Sequence, residues 1–289
     1  MVKGGGTPLV LPLTICDLAA ISRPAAPAPW FPDASCSCTS CSPTGFRLHD
    51  EAMRRPASAP SSRQEIPVSN TAGYCRDAVA ELALGLTLDC LRNISACNQV
   101  VRHGGTKAGL VGHELCGKTV GIVGTGNTGI RAAQLYRAFG CRVLGYSRSQ
   151  RPAAREAGVE YVTLEDLLRS SDIVSVHTPL NESTKGLISR ERVGQMKQGA
   201  ILINTSRGPI VDSQAVADAL NNGRLAAFGT DVFETEPPVA EDHPFFSAKN
   251  VVATPHVAFA TVESLERRAD MAFDNVAKWL DGTVQNRML

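Results

Sequence analysis

From Asn70 onward the apolar positions of the chain follow two alternating rhythms. Residues 77–92 carry an apolar stripe at helical spacing, with Asp77 at the start, where the positive end of a helix dipole favours a carboxylate. After a glycine-rich connector at 104–115, short Val/Ile/Leu-rich runs at 119–123, 142–146, 173–177, 200–205, 226–232 and 251–253 predict strands. Amphipathic stretches at 130–139, 164–169, 190–196 and 212–221 predict the intervening helices, and 261–280 a final one. Strands that are apolar nearly throughout, separated by helices, imply an α/β fold whose parallel sheet is doubly wound and covered on both faces.

Residues 1–63 show neither rhythm. They hold 9 of the 17 prolines, and runs such as Arg23-Pro-Ala-Ala-Pro-Ala-Pro29 predict extended, poorly ordered chain. The expected division is therefore an atypical Pro/Ser/Cys-rich segment at 1–65, a dinucleotide-binding domain at 95–258, and flanking pieces at 66–94 and 259–289.

Charge and composition narrow the classes. With 29 basic and 28 acidic residues the net charge is +1, which lacks the electrostatic footprint of a nucleic-acid binder. The longest charge-free apolar run, about 7–16, contains two prolines and is far short of the roughly 20 residues that span a bilayer, so no membrane partner is expected. Pro8, Pro12 and Asp17 argue against a signal peptide, and a cytoplasmic location is expected. Nine cysteines make an odd number without repeating spacing, and Cys75, Cys90, Cys97, Cys116 and Cys141 read as small buried apolar residues. Cys36, Cys38 and Cys41, with His49 beyond, have metal-like spacing. A structural zinc needs four ligands on a defined turn, and the stretch reads instead as a Ser/Cys/Pro-rich loop, so no metal is expected.

Chemistry concentrates after the predicted strands. Gly124-Thr-Gly126-Asn127-Thr128-Gly129 is G-x-G-x-x-G between a strand and a helix. Its first glycine permits a tight turn, the second lets a pyrophosphate approach the backbone, and the third lets the helix pack on the strand, while helix-start amides face the phosphates. At the end of the second strand an acid normally takes the ribose 2′-hydroxyl; here Ser147 and Arg148 stand there. A carboxylate would repel a 2′-phosphate, whereas serine with arginine can bind one, so NAD(P) is expected with NADP(H) favoured. In the plainer reading Ser147 accepts both cofactors and Arg148 points to solvent.

Arg207, Glu236 and His256 follow three successive strands. An arginine forks onto a carboxylate, and an imidazole beside a carboxylate can move a proton near neutral pH. Together these suit reduction of a 2-oxo acid. Each has a plainer reading, as a surface arginine, a solvated loop acid or a structural histidine. The other histidines, 103, 113, 177 and 243, are read as structural or exposed.

The ordered set of GxGxxG, His177-Thr-Pro-Leu, Asn204-Thr-Ser-Arg-Gly, Asp231-Val-Phe-Glu-Thr-Glu-Pro-Pro and Thr254-Pro-His resembles the D-isomer-specific 2-hydroxyacid dehydrogenases, over more than three quarters of the chain from about Ile66. The resemblance implies a Rossmann cofactor domain with a second, smaller, discontinuous substrate domain, and a homodimer formed through the cofactor domain, with 77–92 and 104–115 as contact candidates. It implies Arg207 on the substrate carboxylate and carbonyl, and His256 as acid/base paired with Glu236. For the cofactor it implies Asn127 and Thr128 at the phosphates, Ser147 and Arg148 at the ribose, Thr178 and Thr205 alongside, and Asp231 at the nicotinamide amide. The substrate would be a small 2-oxo or 2-hydroxy acid.

One part of the family pattern is missing. Only about 76 residues precede the long helix, and they contain no recognisable glycine loop for holding the substrate carboxylate. The substrate domain is thus expected to be incomplete. A second reading follows from that gap: a dinucleotide-binding protein with little or no turnover, acting through assembly or partner binding.

Overall fold

The computed structural model describes residues 67–235 and 238–288. Two compact units emerge, one of Thr71–Asp274 and one of the described residues in 67–70 and 275–288. The metal-like cysteine cluster and His49 lie outside the described residues, as does Glu236.

The larger unit is built on seven parallel strands: β1 (Thr119–Val123), β2 (Arg142–Tyr146), β3 (Glu160–Tyr161), β4 (Ile173–Val176), β5 (Ala200–Asn204), β6 (Leu225–Thr230) and β7 (Val251–Ala253). Their order is β3-β2-β1-β4-β5-β6-β7. The chain starts in the middle, winds outward to β3, then returns to the other side of β1 through β4. The switch point therefore lies between β1 and β4, where ligands bind in open parallel sheets. The helices are α1 (Arg76–Arg92), α2 (Ile94–Arg102), α3 (Asn127–Ala138), α4 (Pro152–Glu156), α5 (Leu164–Ser170), α6 (Arg190–Gln195), α7 (Ser213–Asn221), α8 (Pro244–Ser247) and α9 (Val262–Leu280).

The doubly apolar strands feed two cores. Val123, Val174, Val176 and Leu202 join Leu167, Met196 and Val216 of the α5–α7 side. Val120, Ile122, Ile173, Ile201 and Ile203 join Ala80, Ala83, Leu86, Ala132 and Tyr136 of α1 and α3. Alternation along each strand sends neighbours to opposite faces, so both faces must be apolar.

The predicted strands and long helices are present with ends shifted by up to three residues. Asp212, expected as the first residue of α7, is its N-cap, with Oδ1 accepting from Ala215 N at 2.9 Å. Helix α3 begins at Asn127 rather than 130, directly on the glycine turn. Four short elements, α2, β3, α4 and α8, were not anticipated. Helix α1 lies in the same compact unit as the sheet, and its apolar stripe seats Leu86 against Gly229 of β6.

The cysteine expectation needs correction. Cys141 is buried, but Cys75, Cys90 and Cys97 are half-buried and Cys116 is exposed, because it lies in the connector before β1; all five are free thiols. In the smaller unit Ser69 bridges Arg287 in antiparallel fashion, and Asn275 Nδ2 donates to Asn70 O at 3.0 Å. No described helix is long and apolar enough to cross a membrane.

A polar seam runs through the α1/α3 core. Thr87 Oγ1 and Tyr136 OH lie 2.7 Å apart, both fully buried, and Ser175 Oγ meets His177 Nε2 at 2.8 Å. Burial pushes the His177 imidazole down to about 4 from 6.5, so it folds neutral. The unfolded chain binds a proton there below pH 6.5 and the native chain does not, so stability is full above 6.5 and declines as pH falls toward 4. His177→Asn should flatten that decline, worth on the order of 3 kcal/mol, in denaturant titrations at pH 7 and 4.5; an unchanged pH dependence would show that His177 does not generate it.

Candidate active site

Gly124 follows β1 with φ 101°, a conformation open to glycine, and a side chain there would meet His177 O at 2.5 Å. A side chain on Gly129 would strike the Gly124 carbonyl, so α3 packs directly over the turn. At Gly126, by contrast, a Cβ would meet open space, on the side where α3 begins. Helices α5, α6 and α7 are capped by Thr163, Ser189 and Asp212, whereas α3 has no side-chain cap. Its start, with Asn127 and Thr128, is a positive helix end with room in front of it.

Two buried polar atoms point the same way. Thr205 Oγ1, just past β5, and His177 Nδ1, just past β4, have no hydrogen-bond partner among the described residues. Thr178 follows His177 and lies beside Gly124. These donors and acceptors at the strand ends next to the switch point fit a bound dinucleotide. Ser147 is half-buried and Arg148 exposed at the end of β2.

Past β5, β6 and β7 the backbone ties three loops together. Asp231 N donates to Asn204 O (3.0 Å), Thr254 N to Thr230 O (2.9 Å) and His256 N to Asp231 O (2.9 Å), extending the ladder beyond the last paired residues. Asn204 folds its own loop, with Oδ1 accepting from Ser206 N and Nδ2 donating to the Arg207 carbonyl. Ser206 Oγ donates to Val176 O at 2.7 Å, anchoring the loop on β4. Gly208 lies so close to the Phe233–Glu234 backbone that any Cβ would collide with it. Arg207 is thereby fixed beside the 231–235 loop.

His256 has φ 56°, uncommon for a residue with a side chain. The conformation is held by Asp231, whose buried carboxylate accepts from Thr254 Oγ1 (2.6 Å), Val257 N (2.9 Å) and Ala258 N (2.8 Å). Asp231, expected at the nicotinamide amide, thus also builds the turn that presents the histidine. The His256 ring stands edge-on to Phe259 at 5.9 Å. Glu236, the expected partner, lies outside the described residues, but Glu234 two positions earlier does not. Its carboxylate accepts from Ser213 Oγ and meets His243 Nε2 at 2.8 Å. Burial opposes ionisation of Glu234, yet the His243 and Ser213 bonds prevail and hold its carboxyl below the usual range. His243 is therefore an anchor of this loop, packed against Phe233 and Phe245.

Several neighbours were not singled out from the sequence. Cys75 lies where the Arg207 and Arg267 guanidiniums act on its thiol, although burial dominates and pushes that thiol up. Arg267 Nε donates to Tyr74 O at 2.9 Å, and Arg268 lies over the rings of Tyr74 (5.8 Å) and Phe259 (5.9 Å). This brings positive charge from α9 close to Arg207 and His256, which suits an anionic substrate. The arginines occur in no motif, so only the fold reveals them.

The family model described as D-isomer specific 2-hydroxyacid dehydrogenase, NAD binding domain, matches residues 84–258. A glyoxylate reductase of Aeropyrum pernix is 43% identical over 233 residues, covering 78% of this chain and 69% of that protein. A hydroxypyruvate reductase of Thermotoga maritima is 43% identical over 206 residues, covering 70% and 66%. The structure of D-lactate dehydrogenase from Aquifex aeolicus, complexed with NAD and lactic acid, aligns with a TM-score of 0.71 at 32% identity, covering 77% of this chain and 72% of that one.

The contact at Gly208 yields a direct test. Gly208→Ala should cost about 1–3 kcal/mol in chemical denaturation, as forced overpacking does. A variant as stable as the parent would mean that the two loops are not in backbone contact.

Proposed function

The chain belongs to the D-isomer specific 2-hydroxyacid dehydrogenases, NAD(P)-dependent enzymes, and on that footing we propose that it reduces a small 2-oxo acid to the D-2-hydroxy acid, favouring NADPH. The observation that carries this reading is the ladder joining Asn204, Asp231 and His256, which sets the Arg207 and His256 loops past β5 and β7, with β6 and Asp231 between them, on the edge that also bears the glycine turn. When bound, the nicotinamide supplies hydride to the substrate's C2 or accepts it in reverse.

Arg207 binds the substrate carboxylate and orients the carbonyl, using the planar fork that suits two oxygens. His256 gives its proton to the carbonyl oxygen in reduction and takes it back from the hydroxyl in oxidation. Glu236 pairs with the imidazole and fixes which nitrogen faces the substrate. Asn127 and Thr128 hold the pyrophosphate at the α3 start, Thr178 and Thr205 border the cofactor, and Ser147 with Arg148 takes the ribose phosphate. Asp231 contributes its second carboxylate oxygen, which accepts only one described bond, to the nicotinamide amide.

The segments at 66–94 and 259–289 are read as the remaining part of a substrate-side domain with its connecting helices. A homodimer is proposed through the cofactor domain. None of the α2 residues is buried, and Ile94, Val101 and, in the following arm, Val111 are 53%, 73% and 90% exposed. Five free thiols among the described residues suit the reducing cytoplasm.

Purified protein assayed with glyoxylate, hydroxypyruvate and pyruvate should oxidise NADPH with at least one of them, at a higher kcat/KM than NADH. Cofactor binding without turnover on any 2-oxo acid would instead support a non-catalytic dinucleotide-binding protein, and a strong NADH preference would remove the NADPH assignment. His256→Ala should lower kcat by roughly 10²- to 10⁴-fold; an unchanged rate would exclude it as the acid. Light scattering should give twice the chain mass, and a monomer would refute the dimer.

A further inference from the structure

The loop leaving β2 carries a second arginine whose place is better defined than that of Arg148. Arg151 is exposed, yet its Nη1 donates to Asn127 Oδ1 at 2.9 Å, seating the guanidinium against the first residue of α3. Its backbone N donates to Tyr161 OH at 3.0 Å, and the same hydroxyl meets Thr125 Oγ1 at 2.7 Å. Thr125 is the residue between the first two glycines of the turn and is fully buried. Two independent links therefore join the phosphate turn to the loop that follows β2.

We propose that Arg151 determines cofactor selectivity, by binding the 2′-phosphate of the adenosine ribose from its seat on Asn127. The inference rests on the NADPH reading above. The partner of Arg151 is a neutral carboxamide, so its charge is not cancelled, and four of its five N–H donors remain after the Asn127 bond. Among the described residues no carboxylate forms an ion pair with Arg148 or Arg151, whereas Arg142 at the start of β2 is matched by Glu160 at 2.6 Å. Arg155 stacks over Tyr161 at 5.2 Å and its Nη2 donates to Gln150, so it buttresses the loop. Arg148 and Arg151 then supply two cations to one dianionic group, with Ser147 on its near side. Arg151 is the pre-organised member, held before the ligand arrives, and so loses less freedom on binding it.

The experiment is calorimetric titration of the full chain with adenosine 2′,5′-bisphosphate and with 5′-AMP, which share every group except the 2′-phosphate and need no turnover. The parent should bind the bisphosphate at least tenfold more tightly. Arg151→Ala should remove about 10- to 100-fold of bisphosphate affinity, the range of a lost charge-assisted bond, while 5′-AMP binding changes less than about twofold. Arg151→Lys should recover part of the loss, because the charge returns without the fork. If the parent discriminates and Arg151→Ala still does, the assignment to Arg151 is wrong and the NADPH reading stands. If the parent does not discriminate, the NADPH reading fails and takes this assignment with it. An equal loss for both ligands, with unchanged thermal melting, would make Arg151 a support of the phosphate turn and overturn its role in selectivity.

Discussion

Parallel strands can be joined only by a crossover, and every crossover brings the chain back to begin the next strand at the same edge. In this protein that constraint decides where the chemistry is. Because β1, β2, β4, β5, β6 and β7 all run one way, the residues that follow them emerge along a single rim. The glycine turn, Ser147, Thr178, Thr205, Arg207, Asp231 and His256 are far apart in sequence and become neighbours through hydrogen bonds of the sheet. The two apolar cores that make the strands doubly hydrophobic hold that rim in place.

Polar groups at the rim have two separable duties. Some are consumed by the protein itself: the Asp231 carboxylate gathers three donors to hold a histidine in the left-handed region, and Glu234 is bound between Ser213 and His243. Others, such as Thr205 Oγ1 and His177 Nδ1, are buried without a partner among the described residues. A buried polar atom left unmatched is costly, and a ligand that matches it recovers that cost. These two atoms lie past β4 and β5, at the rim that also carries the glycine turn.

Much of this was legible in the chain. Strand and long-helix positions follow from periodicity because the burial is two-sided and strong, and the glycine turn is readable because each glycine answers a steric demand. What escaped had weak signals for physical reasons. Helix α2 buries none of its residues, so its pattern reports no core. Strand β3 has two residues and α4 five, too few to show a period. The periodicity starts α3 three residues late because Asn-Thr-Gly favours turns and only tertiary packing carries it into the helix. Tyr161, Arg151 and His243 matter through partners 9 to 36 positions away or through ring packing, which no local motif encodes. Of the three catalytic candidates, Arg207 and His256 follow β5 and β7, on either side of β6 at the same edge, while Glu236 lies outside the described residues.

The meeting of Gly208 with the Phe233–Glu234 peptide has a mechanical side. With backbone against backbone, no rotamer change can absorb a displacement, so the two loops behave as a single rigid plate. Variation in length or sequence that alters the reach of the 231–235 loop must drag Arg207 along or break the contact. Diversification of this rim is accordingly channelled away from that plate, toward the exposed stretch beyond Pro238 and the loop after β2, where side chains can change without moving the arginine.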